Sequence, residues 1–167
     1  MKYGLYTKKV MKYFKNPKNM GRMKNPDGVG KVGNQICGDV MWLYIKIRNN
    51  RIADIKFETF GCVAAIATSS MITELVKGKT IERALKITKE DIVKSLGSLP
   101  KIKIHCSVLA ADALNEAVYD YLSKNKLPIP KYLQERHERI QKETEVVEET
   151  HKDYINLEKK IWKVGKK

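Results

Sequence analysis

The sequence predicts a mixed fold in which a small antiparallel sheet precedes a series of helices. Residues 40–48 and 51–57 are rich in β-branched and aromatic residues and partly alternate between apolar and polar side chains. They are joined by Asn49-Asn50, two residues that tolerate positive φ, as is typical of a hairpin turn. A third strand is expected before Cys37, and the chain from Val63 onward carries helical signals.

Glycines and capping residues delimit the helices that follow the sheet. Residues 63–76 are rich in alanine and lack Gly and Pro, and Gly78 then provides a C-terminal stop. A short helix is expected to begin at Thr80. Another helix, opened by a capping-box pattern at Thr88, is expected to end at Gly97.

The next helix begins beside two side chains of metal-binding type. Residues 99–103 are expected to be extended and lead to the adjacent His105 and Cys106. A thiol at a helix N-terminus is favoured as thiolate by the macrodipole. A cysteine-nucleophile enzyme using this pair is disfavoured, because neighbours at a helix start rarely face each other as nucleophile and base must. The helix itself is indicated by apolar residues at three-and-four spacing, namely Ala110, Ala113, Leu114, Ala117, Val118 and Tyr121.

The two ends of the chain differ from its centre. Residues 1–15 predict a short amphipathic helix, and residues 16–30 are dense in turn formers and predict an irregular loop. We divide the chain into a domain at 1–124 and a charged helical extension at 125–167. This extension can pack on the domain, pair with a second copy as a homo-oligomer, or contact a partner. Its narrow apolar stripe recurs every seven residues, at Leu133, Ile140, Val147, Tyr154 and Ile161.

The composition bounds the compartment and the partners. The formal net charge of +14 reflects 33 Lys and Arg against 19 Asp and Glu, but no dense basic block is interleaved with aromatic residues, as a nucleic-acid surface would require. No apolar run is long enough to span a bilayer, and the N-terminus lacks the apolar block of a secretory signal. We therefore expect a cytoplasmic protein that binds neither nucleic acid nor membrane.

The three cysteines indicate a metal site. Cys37, Cys62 and Cys106 are an odd number and lie far apart, so no disulfide framework can use them all. Each stands at the start or edge of a predicted element, and a potential ligand, Asp39 or His105, lies near two of them. Thiolates with a carboxylate and an imidazole suit soft-metal coordination, either tetrahedral zinc or an iron-sulfur cluster. The spacing alone leaves these two alternatives open.

Four sequence blocks resemble those of the IscU/NifU N-terminal family of iron-sulfur cluster assembly scaffolds. The similarity runs from about Tyr13 to Tyr121 and includes the order and spacing of all three cysteine motifs. The blocks are Tyr13-Phe14-Lys15-Asn16-Pro17, Cys37-Gly38-Asp39-Val40-Met41, the segment 60–70 that begins Phe60-Gly61-Cys62, and the segment 104–113 that begins Ile104-His105-Cys106.

The resemblance implies an α+β fold, a small antiparallel three-stranded sheet with helices packed on one face. It also implies a function: a labile 2Fe-2S cluster is assembled from iron and from sulfur delivered by a cysteine desulfurase, then handed to apo-proteins. Such a protein is a scaffold and sulfur acceptor and not a turnover enzyme. The alternative is a zinc-stabilised interaction module that uses the same ligands, and zinc binding to the cluster-free form is compatible with either.

The resemblance also assigns roles to single residues. It makes Cys37, Cys62 and Cys106 cluster ligands, with Asp39 or His105 as the fourth, and makes Cys106 the sulfur acceptor. Three soft thiolates and one exchangeable oxygen or nitrogen suit a temporary holder, since a fourth thiolate would favour retention. In a supporting role, Lys103 is expected to act electrostatically on Asp39 or the thiolates, and Gly38 and Gly61 stand beside predicted ligands.

Two departures from the family pattern concern partners and backbone freedom. The family segment Leu-Pro-Pro-Val-Lys, which an Hsp70-type chaperone recognises, reads Leu99-Pro100-Lys101-Ile102-Lys103 here, and loss of the second proline argues against that chaperone as a partner. The glycine that follows the second cysteine in the family is Val63 in this chain, which narrows the backbone freedom near Cys62.

Overall fold

The sheet is formed by the three strands that the sequence predicts. A computed structural model describes the backbone of residues 4–35 and 38–164, with side chains in these ranges except at 150 and 153–164. Within the described residues, three strands form one antiparallel sheet in the order β1, β2, β3. They span β1 Gly28–Gly33, β2 Val40–Arg48 and β3 Arg51–Phe60. The α+β prediction is therefore confirmed.

The β2–β3 hairpin brings two predicted site segments together. Asn49 and Asn50 form its turn with φ of 51° and 57°, as expected for a pair of residues that tolerates positive φ. The strands pair so that Val40 lies opposite Phe60. Residue 39 therefore enters the sheet beside the point where residue 61 leaves it.

The helices begin and end where the sequence signals lie. Thr7, Thr80 and Thr88 each accept a hydrogen bond from a backbone N–H of the helix they precede, and Thr88 and Asp91 complete the predicted capping box. Gly78 and Gly97 follow two of the helix ends with positive φ. The helices are α1 Lys8–Lys15, α2 Val63–Val76, α3 Ile81–Leu85, α4 Lys89–Ser95, α5 His105–Lys124 and α6 Lys131–Val164.

Helices α2 and α5 cover the apolar face of the sheet, and α5 approaches β1 unusually closely. A Cβ atom on Gly28 would lie 2.2 Å from the Ala117 carbonyl oxygen, and one on Gly30 would lie 2.0 Å from that of Ala113. Both glycines are therefore needed for this contact. They belong to β1, so the prediction that the irregular loop extends to residue 30 was wrong by three residues.

A second difference lies before α5. The segment 99–103 was predicted to be extended, but residues 101–103 form a 3₁₀ turn in which the Lys103 N–H donates to the Pro100 carbonyl. The residue before a proline is extended, whereas proline itself is compatible with a turn that follows it. This turn leads directly into α5 and orients its first residues.

Helix α6 packs on the domain along its predicted apolar stripe. Leu133, Ile140 and Val147 are buried, while the side chains of residues 154 and 161 lie outside the described residues. Buried acidic groups of α5 also meet α6. Asp112 pairs with Arg136 and Arg139, and Glu116 contacts His137 and Gln141. None of the helices that the structure describes has an apolar stretch sufficient to traverse a bilayer.

Candidate metal centre

Four chain segments converge at one end of the sheet. Residues 38–39 lead into β2, Gly61 follows β3, Cys62 caps the N-terminus of α2, and Cys106 lies in the first turn of α5. The hairpin register fixes the first two segments, and the packing of α2 against α5 fixes the other two. The predicted site residues on these segments are far apart in sequence, and the fold brings several of them together.

Three of the predicted ligands form a compact group. One ligand atom from each of Asp39, Cys62 and Cys106 lies within 4.8 Å of the other two. The sulfur atoms of Cys62 and Cys106 are 3.8 Å apart. His105 opens α5 half-buried, and its ring nitrogens are outside this group. The predicted ligand Cys37 lies outside the described residues.

The carboxylate of Asp39 is buried with only part of its hydrogen-bonding capacity satisfied. Its side chain is 5% exposed, and its Oδ2 atom has no hydrogen-bond partner within the part of the chain that the structure describes. Burial and, to a lesser extent, the charge of the neighbouring Cys62 raise the pKa of Asp39, and a backbone hydrogen bond from Cys62 and the charge of Lys103 oppose them; the net pKa is about 6. A cation is the group that would satisfy this oxygen.

The surroundings of Cys62 favour the thiolate form of its side chain. A hydrogen bond from the Cys106 thiol is the largest cause that lowers the pKa of Cys62 to about 5, and it outweighs the opposing effect of burial. The backbone N–H groups of Ala65 and Ala64 and the charge of Lys103 lower the pKa further. The sequence predicts such stabilisation for Cys106 at its own helix start and places Cys62 at a helix N-terminus as well. In the structure the lowered pKa belongs to Cys62, which accepts the hydrogen bond from Cys106.

Two residues around the group have structural roles. A Cβ atom on Gly61 would lie 2.8 Å from the Ala65 Cβ and 3.1 Å from the Asp39 Cγ, so only glycine leaves room for the carboxylate. Thr68, which sequence reasoning did not single out, is fully buried and donates to the Cys106 carbonyl at 3.1 Å. It ties α2 to α5 below the two thiols, and its place in an alanine-rich helix gave no signal of this role.

The donor set fits a thiophilic metal. Two bonds of about 2.3 Å at a tetrahedral angle place their sulfur atoms about 3.8 Å apart, which is the Cys62–Cys106 separation. The carboxylate of Asp39 offers a harder oxygen on the same side, and its unpartnered Oδ2 is available to a metal. The arrangement therefore suits iron or zinc better than the oxygen-loving Ca²⁺ or Mg²⁺.

Comparison with known proteins identifies the family. The sequence profile described as NifU-like N terminal domain matches residues 5–128. The chain belongs to this family. Helix α6, which begins at Lys131, follows the matched segment.

Relatives of this NifU-like domain are similar over most of their length. The iron-sulfur cluster assembly scaffold protein IscU 1 of Archaeoglobus fulgidus is 61% identical over 121 residues, which cover 72% of this chain and 79% of that protein. The scaffold protein IscU of Aquifex aeolicus is 50% identical over 121 residues, covering 71% and 77%. The crystal structure of a NifU-like protein (N-terminal) from Brucella abortus has a TM-score of 0.60, 23% identity and coverage of 72% and 96%, and supports the fold alone.

Proposed function

We propose that this chain is a scaffold on which a labile 2Fe-2S cluster is assembled and from which it is transferred to apo-proteins. The observation that carries the proposal is the group of Asp39, Cys62 and Cys106, in which two thiols lie at metal-binding separation beside a buried carboxylate oxygen that lacks a partner among the described residues. The names of the IscU relatives, and membership of the same family, support it.

The cluster is cargo in this proposal, and the residues have distinct tasks. Cys37, Cys62 and Cys106 supply thiolates, and Asp39 or His105 closes the coordination with an oxygen or nitrogen that exchanges more readily. Lys103 stabilises the negative charge of Cys62 and Asp39 before iron arrives, in keeping with its effect on both pKa values. Gly38 and Gly61 allow the backbone to approach the ligands.

Sulfur delivery requires a thiolate acceptor, for which we propose Cys106. The Cys106 thiol passes its proton to the hydrogen-bonded Cys62 thiolate. The resulting Cys106 thiolate attacks the outer sulfur of a persulfide on a cysteine desulfurase, forming a persulfide on Cys106 and releasing the desulfurase thiolate, with no net oxidation or reduction. The Cys106 side chain is 1% exposed, so a bound partner must open the site. The partners implied are therefore the desulfurase and apo iron-sulfur recipients.

The experiment is anaerobic reconstitution with ferrous iron, cysteine and a desulfurase, followed by visible absorption and Mössbauer spectra, and then addition of an apo-ferredoxin. We expect a two-iron cluster that moves to the acceptor. Cys106→Ser should abolish the persulfide seen by mass spectrometry, and an undiminished persulfide would move the acceptor role to Cys37 or Cys62. Asp39→Ala should slow cluster transfer, whereas Asp54→Ala, at a surface carboxylate paired with Lys77, should leave it unchanged.

A zinc-stabilised interaction module is the second candidate, because the 3.8 Å sulfur separation suits tetrahedral zinc equally well. The same reconstitution separates the two. If no cluster forms while zinc binds and cannot be displaced by iron and sulfide, the zinc module is the better account. Zinc that is displaced as the cluster forms supports the scaffold.

A further inference from the structure

Helix α6 contacts the segment that carries two predicted ligands. We call residues 34, 35, 38 and 39, the described part of the connection from β1 to β2, the ligand loop, since Asp39 belongs to it and Cys37 lies within the same connection in the sequence. One face of α6 follows β1 towards this loop. The Gly33 N–H donates to the Thr144 hydroxyl at 3.1 Å, and Lys31 forms an ion pair with Glu148.

The last of these contacts reaches the ligand loop itself. Gly38 has a φ of 67°, and a Cβ atom built on it would lie 2.8 Å from Cε1 and 2.9 Å from Nε2 of His151. Any other residue at position 38 would therefore be strained in its backbone and would also overlap the imidazole. The His151 ring lies directly against the backbone between the two predicted ligands.

Both sides of this contact are held in place. The Nδ1–H of His151 donates to the Val147 carbonyl at 2.8 Å, one turn earlier in α6, which fixes the plane of the ring. In the ligand loop, the Gly38 N–H donates to the Asn34 carbonyl and the Asn34 N–H donates to the Asp39 carbonyl, each at 2.8 Å. The ring thus packs on a backbone segment whose described ends are hydrogen-bonded to each other.

We propose that His151 is a positioning residue that clamps the ligand loop to α6, and that it thereby slows opening of the metal centre and release of the cluster. The effect on cluster release rests on the proposed function, whereas the clamping of the ligand loop does not. His151 lies beyond the segment 5–128 that the family profile matches, whereas Gly38 lies within it. It acts by packing of the ring against Gly38, and His151 is not assigned as a ligand.

The first test uses metal-free, full-length protein and hydrogen exchange followed by mass spectrometry. His151→Ala should raise the exchange rate of the hydrogen-bonded Asn34 and Gly38 amides by about tenfold or more, because local opening becomes easier. The exposed neighbour Lys152→Ala and the flat-ring variant His151→Phe should both keep the loop protected. Amides of β2 and β3 serve as the internal reference for global folding. Unchanged loop exchange in His151→Ala would overturn the clamp.

The second test follows the cluster on the same variants. Release to a chelator should be several-fold faster in His151→Ala than in the other proteins, and the visible circular dichroism of the cluster in His151→Phe should match that of the wild type. A spectrum altered in His151→Phe as in His151→Ala would make His151 a ligand and overturn the packing role. If the wild type holds no cluster while loop exchange still responds to His151→Ala, the proposed function fails and the clamp stands.

Discussion

Two regions of the molecule bury carboxylates, and they treat them in opposite ways. On α5, Asp112 and Glu116 are each 4% exposed. Across the α5–α6 interface, Asp112 pairs with Arg136 and Arg139, and Glu116 contacts His137 and Gln141, although burial raises the pKa of Glu116. At the metal centre, Asp39 is 5% exposed, and its Oδ2 has no partner among the described residues. The three carboxylates are buried to nearly the same extent, but of the three only Asp39 has an oxygen without a hydrogen-bond partner among the described residues.

This difference separates a structural use of buried charge from a functional one. The ion pairs of Asp112 with Arg136 and Arg139 lie within the chain, so they hold the C-terminal helix on the domain without any ligand. Ionisation of the buried Asp39 carboxylate costs stability until a cation binds, because its pKa is raised in the folded protein. The lowered pKa of Cys62 shows that its thiolate, in contrast, is stabilised by the fold. At the candidate metal centre, Asp39 is therefore the residue at which folding energy is given up.

Asp112→Asn is the change with the largest expected effect on stability. It leaves Arg136 and Arg139 facing an uncharged group, and we expect the free energy of unfolding to fall by about 2 to 3 kcal/mol, less than for a fully buried pair because both guanidinium groups are partly exposed. Urea denaturation of metal-free protein, read from the midpoint at constant slope, measures the loss.

The matched control is Asp54→Asn, which breaks the surface pair with Lys77, where both side chains are nearly half exposed. That change should cost less than about 1 kcal/mol. An equal loss in the two variants would mean that the α5–α6 pairs contribute no more than a surface ion pair, and the contrast between the two regions would then be void.

Asp39→Asn should raise the free energy of unfolding of the metal-free protein, whereas Asp112→Asn should lower it. Because the pKa of Asp39 is raised from 3.8 to about 6 in the folded state, the ionised carboxylate destabilises the metal-free protein at neutral pH. Replacement by the uncharged amide should raise the free energy of unfolding by about 1 to 2 kcal/mol at pH 7.5. Denaturation of both proteins across a pH series measures the difference.

The sign of the pH dependence follows from the two protonation states. Below about pH 4 the carboxyl is protonated in both folded and unfolded chains, so wild type and variant should be nearly equal. Between about pH 4 and 6 only the unfolded chain ionises, so wild type loses stability relative to the variant, and the gap stays constant above that. Added Zn²⁺ should favour the wild type instead. A variant less stable than wild type at neutral pH without metal would contradict this account.

The local signals in the sequence were sufficient for the helix caps and the hairpin turn, but not for contacts between elements. Caps at Thr80 and Thr88 and the Asn49-Asn50 turn act within a few residues, so their outcome could be predicted. Gly28 and Gly30 also looked like turn formers, yet they serve close approach to α5. Their partners lie more than eighty residues away in the chain, and no local pattern distinguishes the two uses of glycine.

The metal centre shows the same limit. Resemblance to the family singled out Asp39, Cys62 and Cys106. The unpartnered oxygen of Asp39 and the lowered pKa of Cys62 depend on the relative orientations of these side chains, which only the fold provides. The contact between His151 and Gly38 depends on how α6 docks, and a histidine in a charged helix carries no sequence signal for it.

The smallest expected effect concerns the charge of Lys103 at the thiolate of Cys62. In metal-free protein, alkylation of Cys62 by iodoacetamide at a series of pH values, followed by peptide mass spectrometry, should give a midpoint near the pKa of about 5. Cys106→Ala removes the hydrogen bond that lowers this pKa most, so the midpoint should move strongly upward. Lys103→Gln should also move it upward, but less, because its charge is the weakest of the causes.

Lys101→Gln is the matched control, since this exposed lysine precedes Lys103 by two residues. Its midpoint should equal that of the wild type. A shift in Lys103→Gln as large as that in Cys106→Ala would make electrostatics, and not the hydrogen bond between the thiols, the main source of thiolate character. The metal centre would then resemble the α5–α6 interface, where fixed charges on the chain compensate a buried anion.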